Sequence, residues 1–200
     1  SIARKACSNM TFLNIDFKNA KSLRFFKDYA FEKTIFESKF IFPSALETID
    51  SYCFSSSAFL KGLVLNKNLE TINQAAFYSA CIKQKTINIP DSVKYISKIA
   101  FSDVENVSKL FISNESNLKM VDAGAFRKSS FKEIIIQASS ADFSKASDCF
   151  SNCCNLELFD LTENKTKTIP SRFLSKNPRM KEIKFPHGIK KICSEACDST

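Results

Sequence analysis

The sequence predicts an α/β repeat solenoid, right-handed, of about eight coils of 23–25 residues with a parallel sheet and short helices or turns. Three observations predict it. An anchor residue recurs at Cys7, Phe31, Phe54, Phe77, Phe101, Phe126, Phe150, Phe173 and Cys197, at intervals of 24, 23, 23, 24, 25, 24, 23 and 24. An apolar pair precedes most anchors, and a short apolar-x-x-apolar-x-apolar segment follows most of them. A fixed period of this size marks units that bury their apolar faces only by stacking on their neighbours. Residues 1–200 therefore read as one continuous array and not as two globular domains.

Within a coil, the leading pair is Leu23/Phe26, Leu46/Ile49, Leu69/Ile72, Val93/Ile96, Leu118/Val121 and Ile189/Ile192. It reads as a short extended piece. The stretch around the anchor carries Ala, Lys, Ser and Glu, which fits a helical turn or short helix. The residue before the anchor is usually small (Ala30, Cys53, Ala76, Ala100, Ala125, Cys149, Ala196), so neighbouring backbones can approach closely there. The later segment has strand periodicity, because successive side chains point to opposite faces. Examples are Leu60-Leu63-Leu65, Val107-Leu110-Ile112 and Phe131-Ile134-Ile136. Pro43, Pro90 and Pro186 follow such strands, where proline ends ladder pairing at little cost. The coils at Phe150 and Phe173 look degraded, since Ala146 and Ile169 lie one residue nearer their anchors than elsewhere. Local irregularity is expected in both. Stacking at about 4.8 Å between strands would line the anchor rings into an interior ladder.

The pattern L-x-x-I-x-x-x-A-F, followed after a gap by L-x-x-I-x-I-P, resembles the BspA-like (Treponema-type) leucine-rich repeat. Copies are LETIDSYCF at 46–54, LETINQAAF at 69–77 with INIP at 87–90, VKYISKIAF at 93–101 and LKMVDAGAF at 118–126. The likeness covers essentially the whole chain. One departure is that the family's glycine after the isoleucine is replaced by Asp50, Asn73, Ser97, Asp122 and Cys193, which loosens the expected turn without disturbing register. The resemblance implies a leucine-rich-repeat solenoid of the kind used as a surface and adhesion scaffold in bacteria and protists. Because the chain opens and closes inside repeats, it is expected to be a fragment of a longer array.

Composition narrows the function. No apolar run approaches the roughly 18 residues a membrane span needs. The net charge of +8 is spread through every coil, either as a solvated surface or as attraction to acidic partners. No nucleic-acid motif accompanies it. The eight cysteines occupy core positions: Cys7 and Cys197 as anchors, Cys53 and Cys149 for alanine, Cys193 after an isoleucine. They read as small buried hydrophobes, with a disulfide among Cys149, Cys153 and Cys154 as the alternative. Their C-x-x-x-C spacings do not match zinc sites. The single His187 sits in a Pro-His-Gly turn, and the three glycines make no phosphate loop. No catalytic, cofactor or metal residue is therefore assigned. Sequons occur at Asn9, Asn106, Asn114 and Asn164.

On the later strand, the residue between the last two core positions should point outward. Reading along the array gives Asp16, Ile41, Val64, Asn88, Phe111, Ile135, Asp160 and Lys184. Ile41, Val64, Asn88, Phe111 and Ile135 form a largely apolar stripe with charged residues at both ends, and are the candidate partner-binding residues. The alternative is that β-branched residues simply suit strands, or that another strand covers them. The expected function is a non-enzymatic module binding a protein or glycan ligand, with some preference for acidic ones, in adhesion at a cell surface or after secretion. The alternative is an intracellular, cytoplasmic or cytoskeletal scaffold.

Overall fold

The computed structural model describes residues 1–200, wound into a parallel-sheet solenoid of about eight turns of about 24 residues. Each strand pairs in parallel with its counterpart one coil on. An eight-stranded sheet contains Thr11–Phe12, Ile35–Phe36, Ala58–Phe59, Cys81–Ile89, Glu105–Ile112, Glu133–Ile136, Leu158–Asp160 and Glu182–Lys184, adjacent in that order. The leading apolar pairs build a second sheet of five strands: Phe25–Phe26, Thr48–Ile49, Thr71–Ile72, Tyr95–Ile96 and Met120–Val121. Registers follow the sequence period, as in Ile49↔Ile72, Ile72↔Ile96 and Leu110↔Ile134.

The anchor rings form the expected ladder. Phe31, Phe54, Phe77, Phe101, Phe126 and Phe150 are buried, with successive centroids 5.1, 5.3, 4.9, 5.4 and 5.4 Å apart and ring planes within 8° of parallel. Burying such a ring contributes roughly 1.5–3 kcal/mol, and the stack repeats that gain in every coil. Small Cys53, Ala76, Ala100 and Ala125 beside the anchors are fully buried.

The segment around each anchor is not a helix. Tyr29 and Lys33 about Phe31, Ala75 and Ser79 about Phe77, and Ile99 and Asp103 about Phe101 all lie in the left-handed region. Two such residues four apart break any α-helix. The backbone instead follows a turn ladder whose N–H groups alternate between the next coil and the turn itself. The N–H groups of Tyr29, Phe31 and Lys33 donate to Ser51, Cys53 and Ser55 of the next coil at 3.1, 2.8 and 2.8 Å. Those of Ala30 and Glu32 close turns onto Lys27 and Tyr29 at 3.0 and 3.2 Å. The special backbone positions thus flank the anchor and do not sit directly after the isoleucine, so the missing family glycines cost little.

That ladder corrects one anchor. The Phe77 N–H donates to Ala100 and the Phe150 N–H to Phe173, while Leu174 N–H donates to Ala196. Leu174, flanked by left-handed Arg172 and Lys176, therefore holds the anchor position. Phe173 occupies the place usually given to a small residue. Ile169 then lies at its normal spacing, and that coil is regular. The preceding coil is irregular as expected: its leading strand shrinks to a single bridge between Met120 and Asp142. Phe143 fills the gap, and Phe173 packs edge-on against it at 5.8 Å and against Phe150 at 5.1 Å.

A polar ladder runs along the array three residues past most anchors, interrupted where Ala80 and Val104 take the place. Thr34, Ser57, Ser129, Cys153, Asn177 and Thr200 donate to the anchor carbonyls of Cys7, Phe31, Phe101, Phe126, Phe150 and Leu174 at 2.7, 2.6, 2.7, 3.3, 3.0 and 2.7 Å. These carbonyls lie one coil back and would otherwise be buried acceptors. Cys153 here acts as a weak donor, and burial pushes its thiol up to about 12. Burial likewise raises Cys53 and Cys149 well above the usual thiol range. All eight cysteines are free.

Ser129 is 1% exposed, so Ser129→Ala should strand the Phe101 carbonyl and cost ~1–3 kcal/mol. Urea titration measures this, and a change within about 0.5 kcal/mol, the range of ordinary surface substitutions, would contradict the ladder's role.

Candidate functional site

The outward side of the later strands is the candidate site. Asn88, Phe111 and Ile135 are directly paired across three coils, and the ladder continues to Asp160 and Lys184. Ile41 and Val64 are paired with each other in a separate two-stranded sheet, Phe40–Ile41 with Leu63–Val64. The five sequence-predicted residues thus lie on one side of the solenoid but in two strand groups.

The break between Val64 and Asn88 has a local cause. The chain from Phe59 to Leu63 spans one residue fewer than the matching run from Ile82 to Ile87. Gly62 makes the corner at φ +75°, and a Cβ there would stand 2.7 Å from the Gln84 side-chain oxygen. That oxygen accepts the Leu63 N–H at 2.9 Å, while the Gln84 amide donates to the Thr86 carbonyl at 2.8 Å. A glutamine side chain therefore replaces one rung of backbone pairing.

Exposure varies along the stripe. Ile41 is 60% and Val64 42% exposed, Asn88 is exposed, and Phe111 and Ile135 are half-buried. No segment of the chain covers Ile41 or Val64, against the alternative of a packed-over strand. Three clefts indent this side. The first, of about 500 Å³, lies beside Ile41, with Asp16, Lys18 and Lys39 on its walls. A narrower one of about 130 Å³ separates Val64 from Asn88, and a third of about 460 Å³ runs beside Asn88 and Phe111 over Leu65, Ile89 and Pro90.

The flanking charges are paired, mostly across coils. Lys109 reaches Glu133 at 3.1 Å, and Lys184 reaches Asp160 at 3.6 Å and Glu182 at 3.5 Å. Burial pushes the Asp160 carboxyl up, but the backbone N–H and hydroxyl of Thr162, with Lys184, outweigh it and hold the group below its usual range. Exposed pairs of this kind contribute little stability. They leave the middle of the face as its apolar part.

Elsewhere the chemistry is sparse. His187 is exposed in its turn, and no three His, Cys, Asp or Glu side chains gather as metal ligands would. Of the sequons, Asn9, Asn106 and Asn114 are exposed. Asn164 is 3% exposed and donates its amide to the Ala138 and Ala141 carbonyls at 2.7 and 3.1 Å, a structural use that closes it to glycosylation in the folded chain. No helix is long and apolar enough to cross a membrane.

Comparison with solved structures places these features in context. A leucine-rich repeat protein from Eubacterium ventriosum matches 84% of this chain and 46% of its own at 24% identity, with a TM-score of 0.65. One from Bacteroides ovatus matches 86% and 38% at 23% identity, with a TM-score of 0.57. The pneumococcal vaccine antigen PcpA matches 94% and 55% at 18% identity, with a TM-score of 0.55. At these identities the likeness is one of fold, and the chain spans well under two thirds of each of those structures. A comparison with curated proteins finds no match. The profile of the BspA type leucine-rich repeat region matches in six copies over residues 1–108, 24–147 and 112–200. This chain belongs to the BspA type leucine-rich repeat family.

Proposed function

We propose that the chain is a non-enzymatic binding module that recognises a protein partner through its strand face, in adhesion or ligand recognition at a cell surface. One observation carries this reading: Ile41 and Val64 stand exposed on the same side as Phe111, on sheets locked from beneath by the aromatic stack. Contiguous exposed apolar surface on a soluble domain usually marks an interaction site. Leucine-rich-repeat solenoids commonly bind proteins, and their rigidity lowers the ordering cost of binding. The net charge of +8 favours an acidic partner by steering encounter, with a glycan as the other ligand class.

The test is comparative retention on the immobilised chain, with wild type and Phe111→Asp as baits. Wild type should retain a protein that the variant loses by about tenfold or more, a difference of roughly 1.4 kcal/mol, while the melting temperature stays nearly unchanged. Equal retention would sink the reading. A large fall in melting temperature would show that Phe111 belongs to the core.

A second reading, an intracellular scaffold, is favoured by the cysteines, all free, of which Cys53, Cys149 and Cys153 are buried packing residues and Cys154 alone is exposed. Glycan mapping on the native protein separates the two. Occupancy at exposed Asn106 or Asn114 supports the surface role, whereas bare sequons with eight reduced thiols support the scaffold.

A further inference from the structure

The first two coils pair at Thr11↔Ile35 and Phe12↔Phe36 and then part. Phe40–Ile41 pairs only with Leu63–Val64, on the side away from the first coil. The groups that face that partner are known: the N–H of Phe40 donates to Gly62 at 3.0 Å and that of Phe42 to Val64 at 3.2 Å. Successive residues of an extended strand present their N–H and C=O to alternate sides, so those of Lys39 and Ile41 face the other way. Neither residue makes a backbone or side-chain hydrogen bond through its main chain. Across the gap, the main chain of Asn14, Ile15 and Asp16 is equally unpaired. Between these two open edges lies the cleft of about 500 Å³, floored by Phe17 and Phe42.

Native sheets rarely leave such an edge bare, since it is a template for another strand. Proline, a bulge or an inward charge would blunt it. Here the paired strand is only two residues long, with Lys39 before it and Pro43 two residues past it, yet it still presents Ile41, 60% exposed. Lys18 and Lys39 flank the cleft and neither belongs to an ion pair; one Asp16 oxygen accepts the Lys18 backbone N–H at 2.7 Å, so the wall carries two lysines against one carboxylate.

We propose that an extended, acidic peptide segment of a partner protein seats in this cleft and pairs its backbone with the Lys39–Ile41 edge. Main-chain hydrogen bonds supply the affinity and the two lysines select carboxylate side chains, as in strand addition generally. The inference builds on the reading of this face as a partner surface, but it rests on backbone groups and not on the Phe111 end of the stripe.

Amide hydrogen exchange on the full chain, followed residue by residue by NMR, tests it. In the free protein, Lys39 and Ile41 should exchange fast and Phe40 and Phe42 slowly. The probe is a synthetic peptide of about eight alternating glutamate and valine residues, a length typical of one strand. It should slow exchange at Ile41 by about tenfold or more, and should do so in the Phe111→Asp variant as well. The same peptide N-methylated at alternate amides should protect nothing. The proposal is overturned if Ile41 is already slow without peptide, or if the N-methylated peptide binds equally well. It is overturned too if a lysine–valine peptide protects as strongly, or if protection arises from raised protein concentration alone, which would assign the edge to a second copy. Protection at Ile41 combined with unchanged partner retention by Phe111→Asp would uphold this site while sinking the stripe.

Discussion

Register between coils is the constraint on which the rest of the molecule depends. Side chains are placed by position within a repeat, so one shift of register would move core to surface along a whole strand. Two periodic features fix it together. The aromatic stack from Phe31 to Phe150 fills the interior with rings held near-parallel, and the turn ladder ties each anchor N–H to the residue before the next anchor. Neither suffices alone. Ring packing tolerates sliding and rotation, whereas the backbone bonds have one register; the bonds in turn are buried only because the rings exclude water.

This arrangement explains an unusual backbone. Left-handed conformations cost non-glycine residues roughly 1–2 kcal/mol each, and the array adopts them at Tyr29, Tyr52, Ala75 and even β-branched Ile99. Glycine takes the place only once, at Gly124. The cost is offset because each turn sends alternate N–H groups to the next coil and satisfies the remainder locally. In most coils a hydroxyl, thiol or amide then covers the anchor carbonyl of the coil before, while the Phe54 and Phe77 carbonyls accept the backbone N–H groups of Ser57 and Ala80. Coil-to-coil bonds of this kind stiffen the array and hold its exposed apolar side chains in place.

Much of this was legible in the sequence, because apolar periodicity reports on register directly. The anchor spacing placed Phe77 between Phe54 and Phe101, and the outward ladder from Asn88 to Lys184 follows from the alternation of the strand. What periodicity missed had identifiable causes. Adjacent Phe173 and Leu174 are both apolar, so the pattern favoured the aromatic; the backbone ladder distinguishes them. The turn segment lacks proline and is rich in Ala, Lys and Ser, which suits a helix locally, yet inter-coil hydrogen bonding overrides that preference. The internal polar ladder follows the anchor period with a break at Ala80 and Val104, but Thr34, Ser57, Ser129 and Asn177 carry no apolar signal by which periodicity could find them. The split of the strand face arises from a one-residue difference in corner length at Gly62, a detail that only the opposing Gln84 reveals.

A double-mutant cycle on Phe77 and Phe101, with leucine at each position, measures the central stack most directly. Their centroids lie 4.9 Å apart with planes within 5°. Denaturant unfolding should give an interaction energy of about 0.5–1.5 kcal/mol between them, and none within error between Phe77 and Phe150. Additive losses at Phe77 and Phe101 would mean that the rings do not touch in solution, and the register on which the strand face depends would be wrong.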